Sequence, residues 1–357
     1  MKICFLTYGD VKDPKTWSGT TKRIYDFFSQ EPRYELSNID IKEVTQREKF
    51  LKYQKIFSKF LSIRGTTRDP YIYSKSVAQI NNAMSNEDAD VYFFIADHCR
   101  VNRKSGKKYF VYIDAIVPEM MIYERWCLLK KWFRKRYIIN DVDSLSSFDE
   151  ILTQNNWTQK SILENYRITN VSNVRFGINT SMYEGKKDYE NHCMMIVLRR
   201  RTERVKGLLL LLKSFKIVKE QIPDAKLYVI GTELKKVDGV TYLPEANRNE
   251  IDQLYEKCSL YVMPAVREPN GITYLEALAH KTPIVGLNRF AIPEFTGNGE
   301  YGFIVKNDTP KELASTIIEA LNDPKKLEQM GSAGQKMVKN RYCWDSVLSN
   351  IKSHIDE

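Results

Sequence analysis

Histidine is scarce in this chain, with four in 357 residues, His98, His192, His280 and His354. None stands at the spacing of a metal-ligand set, so no zinc site, structural or catalytic, is expected. The six cysteines, Cys4, Cys99, Cys127, Cys193, Cys258 and Cys343, include no C-x-x-C pair and read as reduced thiols rather than a disulfide framework. A Ser-His-Asp or Cys-His arrangement is also missing. No apolar run approaches the roughly twenty residues a membrane span needs. The N-terminus opens directly on a strand pattern, Lys2-Ile-Cys-Phe-Leu-Thr7, without a signal-like apolar core, which places the expected location in the cytoplasm. Internal repeats and low-complexity tracts are absent as well.

What is present is alternation. Short apolar strands and amphipathic helical stretches follow one another from Lys2 to Val305, and 43% of the residues are hydrophobic, enough for two cores. The class is α/β with mainly parallel sheets. A chain of this length exceeds a typical single core, so two domains are expected. The polar stretch Gly185-Lys-Lys-Asp-Tyr-Glu-Asn191 precedes a fresh strand, Cys193-Met-Met-Ile-Val-Leu198. The expected division is residues 1–180, residues 181–340, and a closing helix in 341–357 with Trp344, Val347, Leu348 and Ile351 on one face.

The formal net charge of +10 is concentrated in two places. Arg125 to Tyr137 carries six Lys/Arg and no acid, interleaved with Trp126, Leu128, Leu129, Trp132 and Phe133. Lys49 to Arg64 sets Phe50, Phe57, Phe60 and Leu61 beside Lys49, Lys52, Lys55 and Lys59. Basic heads around an apolar face suit a helix lying in an anionic membrane surface. They also suit nucleic acid, the less favoured partner, and a core helix with a solvated basic face.

Glu268-Pro-Asn-Gly-Ile-Thr-Tyr-Leu-Glu276 places two carboxylates eight positions apart around an Asn-Gly turn. The apolar run Cys258 to Pro264 reads as a buried strand feeding that turn, and Thr282-Pro-Ile-Val-Gly286 reads as the next strand. With a helix starting at Gly271, the amides of Gly271, Ile272 and Thr273 point out of its N-terminus, a site for phosphate or polar hydroxyls. The unit sits at a strand's carboxyl end, where open α/β sheets place their ligands. Arg199-Arg-Arg-Thr-Glu-Arg-Val-Lys-Gly207 is a second strand-to-helix loop, which puts Arg201 and Lys206 in the same layer as Glu268. Fixed cations beside two carboxylates and a helix N-terminus suit a diphosphate attached to something rich in hydroxyls.

These residues resemble glycosyltransferase family 4, retaining nucleotide-sugar enzymes of the GT-B fold. The resemblance rests on Arg201 followed by Lys206-Gly207, on Glu268 and Glu276 with Asn270-Gly271 between them, and on Ala291-Ile-Pro-Glu294 followed by Tyr301-Gly-Phe-Ile-Val305. It implies two facing Rossmann-like domains, an acceptor side followed by a donor side, with a last helix crossing back onto the first. It also implies transfer of a sugar from a nucleotide diphosphate sugar to a glycan or lipid-linked acceptor, without bound metal or cofactor; the two basic aromatic stretches add the expectation of a position at the inner face of a membrane. In that scheme Arg201 and Lys206 neutralise the departing diphosphate, Glu268 contacts the donor sugar, and Glu276 holds the ribose. The first half matches less well. Gly19 stands where family members carry a Gly-Gly loop, and Asp114 and His98 are the candidates for acceptor or sugar contact. A catalytically silent GT-B partner subunit and a basic nucleic-acid-binding protein are the other readings.

Overall fold

The computed structural model describes residues 1–46, 72–118, 128–199 and 201–357, and the chain divides into two compact units. The first comprises Met1–Arg175 with Leu348–Glu357, and the second Phe176–Val347.

The sheet of the first unit is built from β1 (Lys2–Thr7), β2 (Glu35–Asp40), β3 (Val91–Ile95), β4 (Lys108–Ile113), β5 (Glu150–Thr153) and β6 (Val171–Asn173). They run in the order β2-β1-β3-β4-β5-β6, every pair parallel. The central strands VYFFI and KYFVYI are buried along almost their whole length, as strands covered on both faces must be. Tyr92 and Tyr109 stack across β3 and β4 with ring centroids 5.2 Å apart. The edge strand β2, ELSNID, is more polar and more exposed, which suits its one-sided pairing. Helices α1 (Thr20–Ser29), α2 (Ile41–Thr45), α3 (Tyr73–Ser85), α4 (Leu128–Leu145) and α5 (Asn156–Tyr166) lie between these strands in the chain.

The second unit repeats the scheme with β7 (Cys193–Val197), α6 (Leu208–Gln221), β8 (Lys226–Ile230), β9 (Val240–Leu243), α7 (Arg248–Lys257), β10 (Leu260–Val262), α8 (Ile272–Ala279), β11 (Ile284–Leu287), α9 (Ile292–Phe295), β12 (Gly302–Val305), α10 (Pro310–Leu321) and α11 (Pro324–Arg341). Its strand order is β12-β11-β10-β7-β8-β9, again all parallel. The chain winds outward from β7 in one direction and from β10 in the other. The reversal between these two neighbours opens a crevice at their carboxyl ends, the ligand position of doubly wound sheets.

The last helix, α12 (Trp344–Asp356), buries Val347, Leu348, Ile351 and Ile355, while Trp344 is only half-buried. From Leu348 onward it belongs to the first unit, tied there by Arg33–Asp356 and Lys352–Glu31 pairs and by His354 at 3.0 Å from Glu150.

Of the two basic stretches, Lys49 to Arg64 lies outside the described residues, as do residues 125–127. The remainder of the other opens α4. There Trp132, Lys135, Arg136 and Ile139 are exposed at the spacing of one helix face, with the Arg136 guanidinium 5.8 Å from the Trp132 ring.

Candidate functional site

The crevice of the second unit is floored by two loops. One follows β7 and the other follows β10, and a hydrogen bond from the Val266 amide to the Val205 carbonyl (2.8 Å) joins them. Gly207, at φ 76°, ends the first loop and starts α6. A β-carbon there would collide with the carbonyl oxygen of Pro264, so the two loops can approach this closely only at glycine.

That approach delivers Lys206 to Glu268. The ammonium and carboxylate form an ion pair, and the Gly271 amide donates to the other Glu268 oxygen at 2.9 Å. Glu268 therefore closes the N-terminus of α8, where the dipole favours an anion by about 0.3–1 kcal/mol. The amide of Gly271, expected to face a ligand, is taken by this carboxylate instead. Burial, with Arg199 and Arg267 nearby, pushes the Lys206 ammonium down to about 8, and contact with Glu268 opposes that. Arg201 behaves differently. It sits exposed on the turn with φ 66°, and its backbone contributes to holding the Glu203 carboxyl below the usual range, after the Thr232 hydroxyl. The five-residue spacing placed both cations in one layer, but the turn sends only Lys206 to the glutamate.

Glu276 lies on α8, which is buried from Tyr274 to Ala279, and the carboxylate is 8% exposed. Arg248 Nη1 reaches its Oε1 at 2.5 Å, and the Tyr255 hydroxyl donates to Oε2 at 3.4 Å. Burial raises its pKa while Arg248 pulls it down. Thr273 is turned inward, its hydroxyl oxygen accepting from Tyr261 at 2.8 Å, while Asn270 and Ile272 are half-buried on either side of Gly271.

Beside these groups a cleft of about 510 Å³ runs along the carboxyl ends of β7, β8 and β9, lined by Leu198, Ile230, Gly231, Pro244, Glu245 and Ala246 and by the first turn of α7. Neither this cleft nor Arg248 and Tyr255 is visible in the motifs, because their residues come from separate segments. The nearest signal was Asn247-x-x-Glu250, which forms a capping box at the start of α7.

In the first unit, Trp17, Ser18 and Gly19 take positive φ in succession (42°, 60° and 83°) just before α1, so Gly19 is the left-handed cap of that helix. Asp114 is half-buried at the end of β4, and its carbonyl accepts from the Thr158 hydroxyl at 3.0 Å. His98 is fully buried. Its Nδ1 lies 2.6 Å from the Ser144 hydroxyl and its Nε2 3.6 Å from Asp141, which places the ring inside the core. Two Asp-x-Asp triplets are also engaged internally. Asp88 pairs with Lys107 at 2.9 Å and Asp90 accepts from the Lys2 amide at 2.8 Å. Asp141 accepts from Tyr166 at 2.7 Å and Asp143 pairs with Arg100 at 3.0 Å. Among the described residues no group of three or more His, Cys, Asp and Glu side chains is placed to hold a metal ion.

Two doubly wound parallel units, one with a lysine–glutamate pair at its switch point, define the GT-B class of glycosyltransferase folds, and the fold class and resemblance expected from the sequence are borne out at that level. Residues 186–337 match the family described as Glycosyl transferases group 1. The chain is 31% identical over 160 residues to the capsular polysaccharide biosynthesis glycosyltransferase CapM of Staphylococcus aureus, 42% of each protein. It spans less than half the length of the first curated relatives it matches. Sucrose-phosphate synthase from Thermosynechococcus elongatus shares the fold with a TM-score of 0.70 at 12% identity, covering 99% of this chain and 98% of that one. Anabaena HepE in complex with UDP does so with a TM-score of 0.67 at 15% identity, covering all of both chains.

Proposed function

We propose that the protein is a retaining, metal-independent family 4 glycosyltransferase. It moves a sugar from a nucleotide diphosphate sugar to a hydroxyl of a glycan or lipid-linked acceptor, in the synthesis of a cell-surface polysaccharide or glycoconjugate. The observation that carries this reading is the Lys206–Glu268 pair at the mouth of the β7/β10 crevice, with buried Glu276 on the adjoining helix and the cleft alongside. The CapM relative supports the polysaccharide assignment, and the UDP in HepE supports a nucleoside diphosphate in this crevice.

In the proposed reaction the bond between the anomeric carbon and the diphosphate oxygen breaks, and its electron pair stays on the diphosphate. The acceptor oxygen bonds to the same face of that carbon, and its proton passes to a donor phosphate oxygen. Lys206, with Arg201 brought in from its exposed turn, stabilises charge that grows as the diphosphate leaves, and so favours the transition state over the ground state. Glu268 exchanges Lys206 and the Gly271 amide for the donor sugar. Glu276 accepts the ribose hydroxyls, Asn270, Gly271, Ile272 and Thr273 frame the phosphates, and the cleft takes the base. Gly19 and Asp114 belong to the acceptor side. The protein works from the cytoplasm at the inner face of a membrane, docked through the Trp132, Lys135, Arg136 and Ile139 face of α4.

A catalytically silent GT-B partner subunit is the second reading, favoured by the exposed position of Arg201. A thermal-shift screen of nucleotide sugars identifies the donor, since a bound ligand raises the stability of the folded state. Nucleoside diphosphate release then decides. Lys206→Ala and Glu268→Gln are each expected to lower turnover by about a hundredfold. Release unchanged in both variants would sink the enzyme reading.

A further inference from the structure

Arg248 is absent from every motif that marks the site, yet it makes the shortest charged contact to Glu276. Its Nη1 lies 2.5 Å from Glu276 Oε1 and its Nη2 2.9 Å from Asp252 Oδ1, so one guanidinium bridges two carboxylates. Tyr255, one turn further along α7 from Asp252, holds the other Glu276 oxygen. Each carboxylate oxygen has two lone-pair positions, and one on each is thereby filled from the α7 side. That leaves one acceptor position on each oxygen, the number that two vicinal hydroxyls need.

We propose that Arg248 is a positioning residue for the donor site: it fixes the plane of the Glu276 carboxylate and keeps it charged, so that the carboxylate accepts both ribose hydroxyls of the nucleotide. This rests on the reading of Glu276 as the ribose contact.

The surroundings of Glu276 explain why a cation is needed there. Arg248, Asp252 and Tyr255 face it from α7, and Tyr261 approaches from β10. His280, whose Nδ1 lies 2.8 Å from the Glu276 carbonyl, closes the far end of α8 with its Nε2 3.7 Å from Asp252. Burial and Asp252 both favour protonated Glu276, and Arg248 opposes them through its charge and its hydrogen bond. His280 is itself held below its ordinary value by burial, so it supplies no replacement charge near neutrality. Without the guanidinium, the carboxylate takes up a proton at higher pH and loses one of its acceptor positions.

The test measures binding of UDP, GDP and ADP to the full chain by calorimetry from pH 5 to pH 8. The tightest binder is then compared with its 2′-deoxy form in wild type, Glu276→Gln, Arg248→Gln and Arg248→Lys. Wild type is expected to discriminate strongly against the deoxy form, and Glu276→Gln to lose that discrimination. In Arg248→Gln, affinity is expected to fall away on acidification at a pH about one unit higher than in wild type, with weaker discrimination. Arg248→Lys, which keeps the charge but lacks the planar fork, should restore the pH profile and not the discrimination. A wild-type pH profile and wild-type discrimination in folded Arg248→Gln overturn the role of Arg248 and leave the donor site standing. If Arg248→Gln does not fold, wild-type discrimination in Arg248→Lys overturns it equally. Binding of no nucleotide, or no effect of Glu276→Gln, removes the donor-site reading and this inference together.

Discussion

Lys206 is half-buried beside two arginines and against one glutamate; burial and the arginines push its ammonium down to about 8, and the ion pair with Glu268 opposes them. A diphosphate arriving in the crevice adds negative charge next to it and raises that value. Nucleoside diphosphate affinity should therefore be greatest below pH 8 and decline above it, with proton uptake on binding near pH 9. Calorimetry in buffers of different ionisation heat reads that uptake directly. Lys206→Arg, charged throughout this range, should flatten the decline, and a flat wild-type profile would show that the lysine does not sense the diphosphate. At this scale the sequence marks Glu268, Glu276 and Lys206, because they stand at short fixed spacings around strand-to-helix turns. It does not mark their partners, since Arg248 and Tyr255 lie 28 and 21 residues from Glu276 along the chain.

Among the elements, α6 and α8 do the positioning, and each begins at a left-handed glycine, Gly207 and Gly271. Gly207→Ala combines an unfavourable φ with collision against the Pro264 carbonyl, so it should destabilise the second unit by about 2 kcal/mol or more. Denaturant unfolding with an unchanged m-value checks this, and a loss below about 0.5 kcal/mol would mean the loops can separate freely. The strands and helices flanking the crevice follow closely from apolar periodicity. The strand read from Cys258 to Pro264 is regular over Leu260–Val262, and the helix read from Gly271 runs Ile272–Ala279. The strands β8 and β9, whose ends line the cleft, carry no motif, and the cleft is assembled from loops with no shared local signal.

For the whole molecule, the excess of ten positive charges suits the anionic membrane surface proposed above, and the exposed face of α4 is one place where charge and apolar area coincide. Partitioning of the full chain onto vesicles containing phosphatidylglycerol should be salt-sensitive. Lys135→Gln with Arg136→Gln should weaken it about thirtyfold, at roughly 1 kcal/mol per basic residue. Retention on nucleic acid with none on such vesicles would support the nucleic-acid reading instead. The amino-acid sequence by itself determined the α/β class, the order of strands and helices along the chain and the spacing of the acids, because these follow from periodicities of two and 3.6 residues and from turn chemistry. Only the tertiary structure decided that β7 and β10 lie side by side, that Lys206 rather than Arg201 meets Glu268, and that Glu276 is held by Arg248. Those outcomes depend on pairings between distant segments, where burial and sheet order, and not neighbouring residues, select the partner of each charge.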